Sequence, residues 1–242
     1  MKSLRCILIL LALPAWAAFA PESLLKDSDR SRGGLDKGIT WAIQIDSIDG
    51  KDTTTRHFEV KAKGDLALAS ATAPTRNKGE VFLFQGRNMW FAKPGIRRPV
   101  TVSSRQRLTG QAANGDIAST HYSRDYAATL EKAEAVNGEP CQVLLLKARE
   151  KNVTYDQIRY WVSDKEHLGL KAEFLSLNGK VLKRASFEYG NRLASAGKTF
   201  PFVSKMSIED VGGTSEKSVI TYTSPKETPL GDEIFAVNRL IK

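Results

Sequence analysis

Cysteine is nearly missing from this chain of 242 residues, which has only Cys6 and Cys141. Cys6 sits in an N-terminal apolar stretch, so a chain trimmed there keeps one thiol and forms no internal disulfide. Cys141, inside a strand-like run, reads as a buried and inert thiol. Histidine is also scarce: His57, His121 and His167 lie far apart, in no metal-ligand spacing. There is no Gly-x-Ser-x-Gly elbow, phosphate-cradling glycine loop, His-Glu-x-x-His or Cys-x-x-Cys. Asp164 and Glu166 fall in a turn, where acids are ordinary. Nothing here supplies a nucleophile, a base or a metal set, so no enzymatic activity, metal or cofactor is expected. No repeat of solenoid length is visible either.

Long apolar runs are missing too, except Cys6–Leu13 near the N-terminus. Lys2 and Arg5 precede that run, and Pro14 with small residues follows it. This is the pattern of an export signal, too short for a membrane span. Cleavage fits after Ala17 or after Ala20, giving residues 1–20 as signal peptide and 21–242 as one domain of an exported protein. The formal charge is +9, and its surplus gathers in Lys93, Arg97, Arg98, Arg105 and Arg107, with no acid among them. For an exported chain, anionic lipid or an acidic protein suits this stretch better than nucleic acid.

What is present is alternation. In residues 139–190, Cys141–Ala148 is a short apolar run, and Tyr155–Ser163 sets Ile158, Tyr160 and Val162 against Gln157, Arg159 and Trp161. Leu168–Leu177 begins with Leu168, Leu170, Ala172 and Phe174 on one face and runs into Asn178-Gly179, a hairpin pair tolerant of positive φ. Val181–Tyr189 returns with Val181, Ala185 and Phe187 on one side. This is an antiparallel meander with one apolar face. Upstream, Glu22–Arg30 reads as a short helix stopped by Gly33-Gly34. Ile39–Ile48 and Thr53–Lys63 form a hairpin about Asp49-Gly50, and Val81–Phe84 and Arg87–Ala92 follow. Periodicity fails from Pro94 to Gly115, which predicts a long loop across the sheet.

The prediction is a mainly β fold of about 10–11 strands that must curl or close to bury its face. Trp41, Ile43, Phe58, Val60, Phe82, Phe84, Trp90, Tyr160, Phe174, Phe187, Phe202 and Met206 are the inward candidates. Alternation does not separate a packed sandwich core from the wall of a ligand cavity.

Several short motifs recur in a known order. Met89-Trp90 is followed by Pro94 and Arg97, then by Arg107-Leu108-x-Gly110 and Gly115-Asp116-Ile117. Tyr155-x-x-Ile158-x-x-Trp161-Val162 and Gly179-Lys180-x-x-Lys183 continue the series. In this order the chain resembles the outer-membrane lipoprotein-sorting (LolA-like) family of periplasmic proteins. The resemblance implies a half-open antiparallel β-barrel with an N-terminal helix and covering loops or short helices. It also implies a carrier that binds acyl chains of lipoproteins or lipids in an apolar cavity for transfer towards the outer membrane. An inner-membrane transporter and an outer-membrane acceptor would be its partners, and the carrier itself is expected to be a monomer.

On this reading Trp41, Ile43, Phe58, Val60, Trp90, Tyr160, Phe174, Phe187, Phe202 and Met206 line the cavity. Arg56, Arg97, Arg98, Arg105 and Arg107 are candidates for partner or headgroup contact, with Arg56 or Arg97 as the gating arginine. No protruding loop with an exposed leucine, of the kind the membrane-anchored receptor uses, is evident. A sensing or interaction module of the same fold is the alternative function, and a secreted hydrolase ranks last.

Overall fold

A computed structural model describes residues 20–212 and 215–240. The expected signal peptide therefore lies, apart from Ala20, outside the described residues. The chain opens with helix α1 (Pro21–Arg30), which has Pro21 in its first turn, Glu22 at the positive end of the helix dipole and Arg30 at the negative end. Leu24, Leu25, Ser28 and Asp29 form its buried face.

Strands β1 (Ile39–Asp49), β2 (Asp52–Lys63), β3 (Leu66–Ala73), β4 (Val81–Gln85), β5 (Asn88–Ala92) and the two-residue β6 (Val100–Thr101) make a first meander. A small ribbon of β7 (Arg107–Thr109) and β8 (Ala112–Ala113) leads to a 3-10 turn at Asn114–Ile117 and the one-turn helix α2 (Tyr122–Asp125). A second meander follows: β9 (Tyr126–Ala133), β10 (Cys141–Ala148), β11 (Gln157–Ser163), β12 (Gly169–Leu175) and β13 (Val181–Glu188). A second ribbon, β14 (Asn191–Ser195) with β15 (Lys198–Phe202), precedes β16 (Lys205–Asp210) and β17 (Lys217–Glu227).

Thirteen strands join one antiparallel sheet in the order β6-β5-β4-β3-β2-β1-β17-β16-β13-β12-β11-β10-β9. The sheet curls but does not close, because β6 and β9 are its free edges; it is a half-open barrel. The pairing of β1 with β17 welds the two meanders together. The count exceeds 10–11 because the sheet takes in the short β6 and reaches β9.

The concave side carries the main apolar cluster, and α1, the segment 102–125 and the β14–β15 ribbon lie over it. Strand β1 shows the pattern plainly: Ile39, Trp41, Ile43 and Ile45 are buried, while their neighbours are part exposed. On the convex side, the turn at Asp232–Phe235 lies on β3 and β4 and buries Phe235, with the Gln85 amide donating to the Phe235 carbonyl at 2.7 Å. That cover explains why Val81–Phe84 is apolar on both faces. Cys141, Val143 and Trp161 form a smaller convex cluster, in which burial pushes the Cys141 thiol up. No helix among the described residues is long and apolar enough to cross a membrane.

Candidate functional site

All the expected cavity residues except Trp90 meet in the concave cluster: Trp41, Ile43, Phe58, Val60, Tyr160, Phe174, Phe187, Phe202 and Met206 are buried together. Trp90 lies on the other face. Strand β5 turns Met89 and Phe91 inward and sets Trp90 opposite Leu83 on the convex side. The correction follows from the two-residue period of a strand, since Met89 and Trp90 cannot share a face.

The wall residues pack against one another rather than lining an open hollow. Trp41 meets Phe202 edge to face at 5.7 Å, Tyr160 meets Phe187 at 6.2 Å, and Tyr155 stacks on Phe174 at 3.8 Å. Helix α1 adds Leu24 and Leu25 to the same cluster. In this conformation the apolar face is occupied by the protein's own lid.

Polar contacts seat that lid. Ser28 of α1 shares a hydrogen bond with the Tyr160 hydroxyl at 2.9 Å, and Asp27 meets His167 at 2.8 Å. Asp29 accepts from the amides of Tyr122 and Ser123, both at 2.9 Å, and from the Ser123 hydroxyl at 2.7 Å. One carboxylate therefore caps α2 from α1 and makes the two helices a unit. Two glycines permit this closeness. Gly33, at φ +93°, brings the chain against the Trp41 ring, where a Cβ would stand 3.0 Å away. Gly169 leaves the space that the Tyr160 hydroxyl fills.

Burial raises the Asp29 carboxyl to about 7, against the pull of its three donors. Asp116 is raised for the same reason; it accepts from the Ala113 amide at 2.8 Å and the Tyr155 hydroxyl at 2.9 Å. His121, beside Ser119 at 3.0 Å, is lowered to about 4 by burial and by Arg124.

Arg32 follows α1 and is only 6% exposed. Its guanidinium lies 4.4 Å from the Phe187 ring centre and 5.2 Å from that of Tyr122, with Nη2 at 4.0 Å from the Met206 sulfur. Its Nη1 is buried without a hydrogen-bond partner. A cavity of about 70 Å³ opens beside it, lined by Phe84, Met89, Asp116, His121, Tyr122, Tyr126 and Tyr155. This cavity lies in the seam between the β4–β5 hairpin and α2. Ion pairs cross that seam: Arg87 with Asp125 at 3.0 Å and Arg124 with Asp65 at 4.0 Å.

The sequence-predicted arginines scatter. Arg56 reaches the concave rim, pairs with Glu80 and lies 4.9 Å from the Phe58 ring centre. Arg105 pairs with Asp156 and Arg107 with Glu216, so these two are tied into the fold. Arg97 and Arg98 are exposed, with no ion pair among the described residues. Arg32 was invisible in the sequence: Ser31-Arg32-Gly33-Gly34 reads as the polar end of a helix. Leu177, in the short turn between β12 and β13 beside Asn178-Gly179, is 79% exposed.

Comparison with known proteins places this architecture. A family profile described as an uncharacterized protein matches residues 63–242. No curated protein matches the chain. Among solved structures, a LolA superfamily protein from Nitrosomonas europaea is 30% identical at TM-score 0.80, covering 90% of this chain and 98% of its own. A putative outer membrane lipoprotein-sorting protein domain from Vibrio parahaemolyticus has 20% identity and TM-score 0.77, covering 92% of this chain and 100% of its own. A DUF1329 family protein from Desulfovibrio piger has 20% identity and TM-score 0.75, covering 91% and 97%. The last two likenesses show the same fold, and the first, with the family profile, establishes kinship: this chain belongs to the LolA superfamily.

Proposed function

We propose that this chain is a periplasmic carrier that shelters the acyl chains of a lipoprotein or lipid on its concave face for transfer towards the outer membrane. The observation that carries the reading is a curled, unclosed sheet whose apolar side is covered by short helices and two small ribbons rather than by a second large sheet. Trp41, Ile43, Phe58, Val60, Tyr160, Phe174, Phe187, Phe202 and Met206 form the wall that cargo meets once α1 and α2 withdraw. Each sheltered methylene is worth ~0.8 kcal/mol, so a chain of about a dozen carbons needs roughly 10 kcal/mol of cover to leave a membrane. Such a carrier needs no reacting group. Its donor and acceptor would be membrane proteins on either side of the periplasm.

Native mass spectrometry of protein purified from its own periplasm tests the reading, with co-purifying acylated species expected. Absence of such species, together with failure of the purified protein to take up an apolar fluorescent probe, would sink it. A second reading, a sensing or interaction module, draws on Arg97 and Arg98, exposed and without an ion pair among the described residues. It requires a partner whose capture is lost on charge reversal there while lipid uptake persists.

A further inference from the structure

We propose that Arg32 is the recognition point for the acidic head, carboxylate or phosphate, of a single-chain amphiphile whose tail lies under the lid. This inference rests on the carrier reading and names the class of cargo it suits.

A guanidinium stays protonated in a protein, so Arg32 is a permanent charge in the interior. Burying a charge without a partner costs several kcal/mol, and such groups are normally paired. Arg32 has no carboxylate within ion-pair distance among the described residues, and its Nη1 lacks any acceptor. The faces of Phe187 and Tyr122 offset part of that cost through their ring quadrupoles. The two carboxyls that feel its charge are committed elsewhere: Asp29 to the start of α2, and Asp116 to the Ala113 amide and the Tyr155 hydroxyl. The fold thus maintains an unmatched cation on an apolar wall, the state expected of a site that awaits an anion.

The space beside it fits a head and not a tail. A volume of about 70 Å³ holds a few waters, each needing about 10–15 Å³, or one carboxylate or phosphate. The planar guanidinium matches either anion with two parallel hydrogen bonds, whereas a neutral hydroxyl or ester offers no charge. Phe187 and Met206, in contact with the guanidinium, begin the apolar wall that the first methylenes would meet. A head anchored here would draw its tail along the face that α1 now covers. The competing role for Arg32 is a strut that merely pins the lid to Phe187 and Tyr122.

The test uses the delipidated mature protein titrated with oleate, oleyl phosphate and oleyl alcohol, which share a tail and differ in the head. Displacement of an apolar fluorescent probe gives the affinities. Oleate or oleyl phosphate should bind about tenfold tighter than the alcohol, the difference between a charged and a neutral hydrogen bond. The ratio of the two acids identifies the head, and either preference supports the assignment. In Arg32→Met the preference should vanish while the alcohol still binds. The melting temperature of the ligand-free variant should not fall, because replacing an unmatched buried charge with an apolar chain of similar length is neutral or stabilising.

Equal binding of acid and alcohol by the wild type, or a preference that survives Arg32→Met, overturns the assignment and leaves the carrier reading standing. Failure of all three amphiphiles to bind overturns both. Should Arg32→Met not fold, oleate labelled with 13C at its carboxyl and bound to the wild-type protein decides. A carboxyl titration displaced to lower pH supports the site, and an ordinary one overturns it.

Discussion

The two wings of the sheet treat the lid differently. On the wing from β9 to β13, α1 is tied by hydrogen bonds, Ser28 to Tyr160 and Asp27 to His167, and α2 by the Tyr122 ring packed edge-on against Tyr160. The wing from β1 to β5 offers alkyl and phenyl groups instead: Phe58, Val60, Ala62, Ala67, Ala69, Ala71, Phe82 and Met89, with Arg56 at its rim. Its ties to α2 are the ion pairs of Arg87 and Arg124 at the seam. Part-exposed ion pairs are worth little, ~0–1 kcal/mol, whereas buried hydroxyl contacts are costly to leave unmade. Under the carrier reading, the tyrosine-rich wing is therefore the hinge side and the alanine-rich wing the door.

The largest expected effect tests that asymmetry in packing. Phe174→Ala should cost about 3–5 kcal/mol in urea unfolding, because a fully buried ring is lost from a rigid setting. Its neighbour Tyr155 is stacked on it and is itself held by Asp116, so the space cannot readily collapse. Phe58→Ala removes the same volume beside the alanines of β3, Ala71 being its register partner. It should cost roughly 1 kcal/mol less, by relaxation around the void. Equal costs would break the distinction between the wings.

A smaller effect concerns pH and sharpens the hinge. Asp29 has a folded pKa of about 7 against an ordinary 3.8, so the native chain holds a proton that the unfolded chain has released. Its contribution to stability is full below the ordinary value and is lost as pH rises through 7. Asp116, also raised, has the same sign. His121, lowered to about 4 from 6.5, has the opposite sign: its contribution is full above 6.5 and lost as pH falls through 4. The two tendencies oppose each other in mildly acidic solution. His121→Gln should steepen the fall of melting temperature between pH 4 and 7, and Asp29→Asn should flatten it. The slopes at stake are at most about 1.4 kcal/mol per pH unit for each group. Unchanged profiles in both variants would mean that these groups do not tie the lid electrostatically.

Much of this wall was legible beforehand because strands write their burial in every second residue. Ile158, Tyr160 and Val162 turned inward as the alternation required, while Trp161 went to the convex cluster. Legibility failed where the period slips. A register shift between Trp161 and Val162, opposite Lys171 and Gly169, sends Leu170 to the convex cluster, although Ala172 and Phe174 stay inside. Trp90 misled because size and apolarity mark a residue as buried without saying on which face. Arg32 could not be found at all, since its burial depends on the chain folding back at Gly33 onto strands more than a hundred residues away. The shortfall in strand number came from pieces as short as Val100–Thr101, where two residues carry no period.

The smallest expected stability effect lies at Arg97 and Arg98, on the door wing. Both are exposed and neither has an ion pair among the described residues, so reversing them to glutamate should shift stability by no more than about 0.5 kcal/mol. Neighbouring Lys93 is also exposed, and so is Val100 on the edge strand, 44% accessible. A cationic loop with an apolar residue at its base suits an anionic bilayer, with each cation near the surface worth about 1 kcal/mol. Arg97→Glu with Arg98→Glu should therefore release the protein from phosphatidylglycerol-containing vesicles in a sedimentation assay and leave probe uptake unaltered. Loss of vesicle binding alone would place membrane contact on the wing with the weaker lid ties, where cargo would have the shortest path inside. Loss of uptake in step with vesicle binding would instead mean that the loop shapes the cavity, and the division between a fixed wing and a yielding one would have to be redrawn.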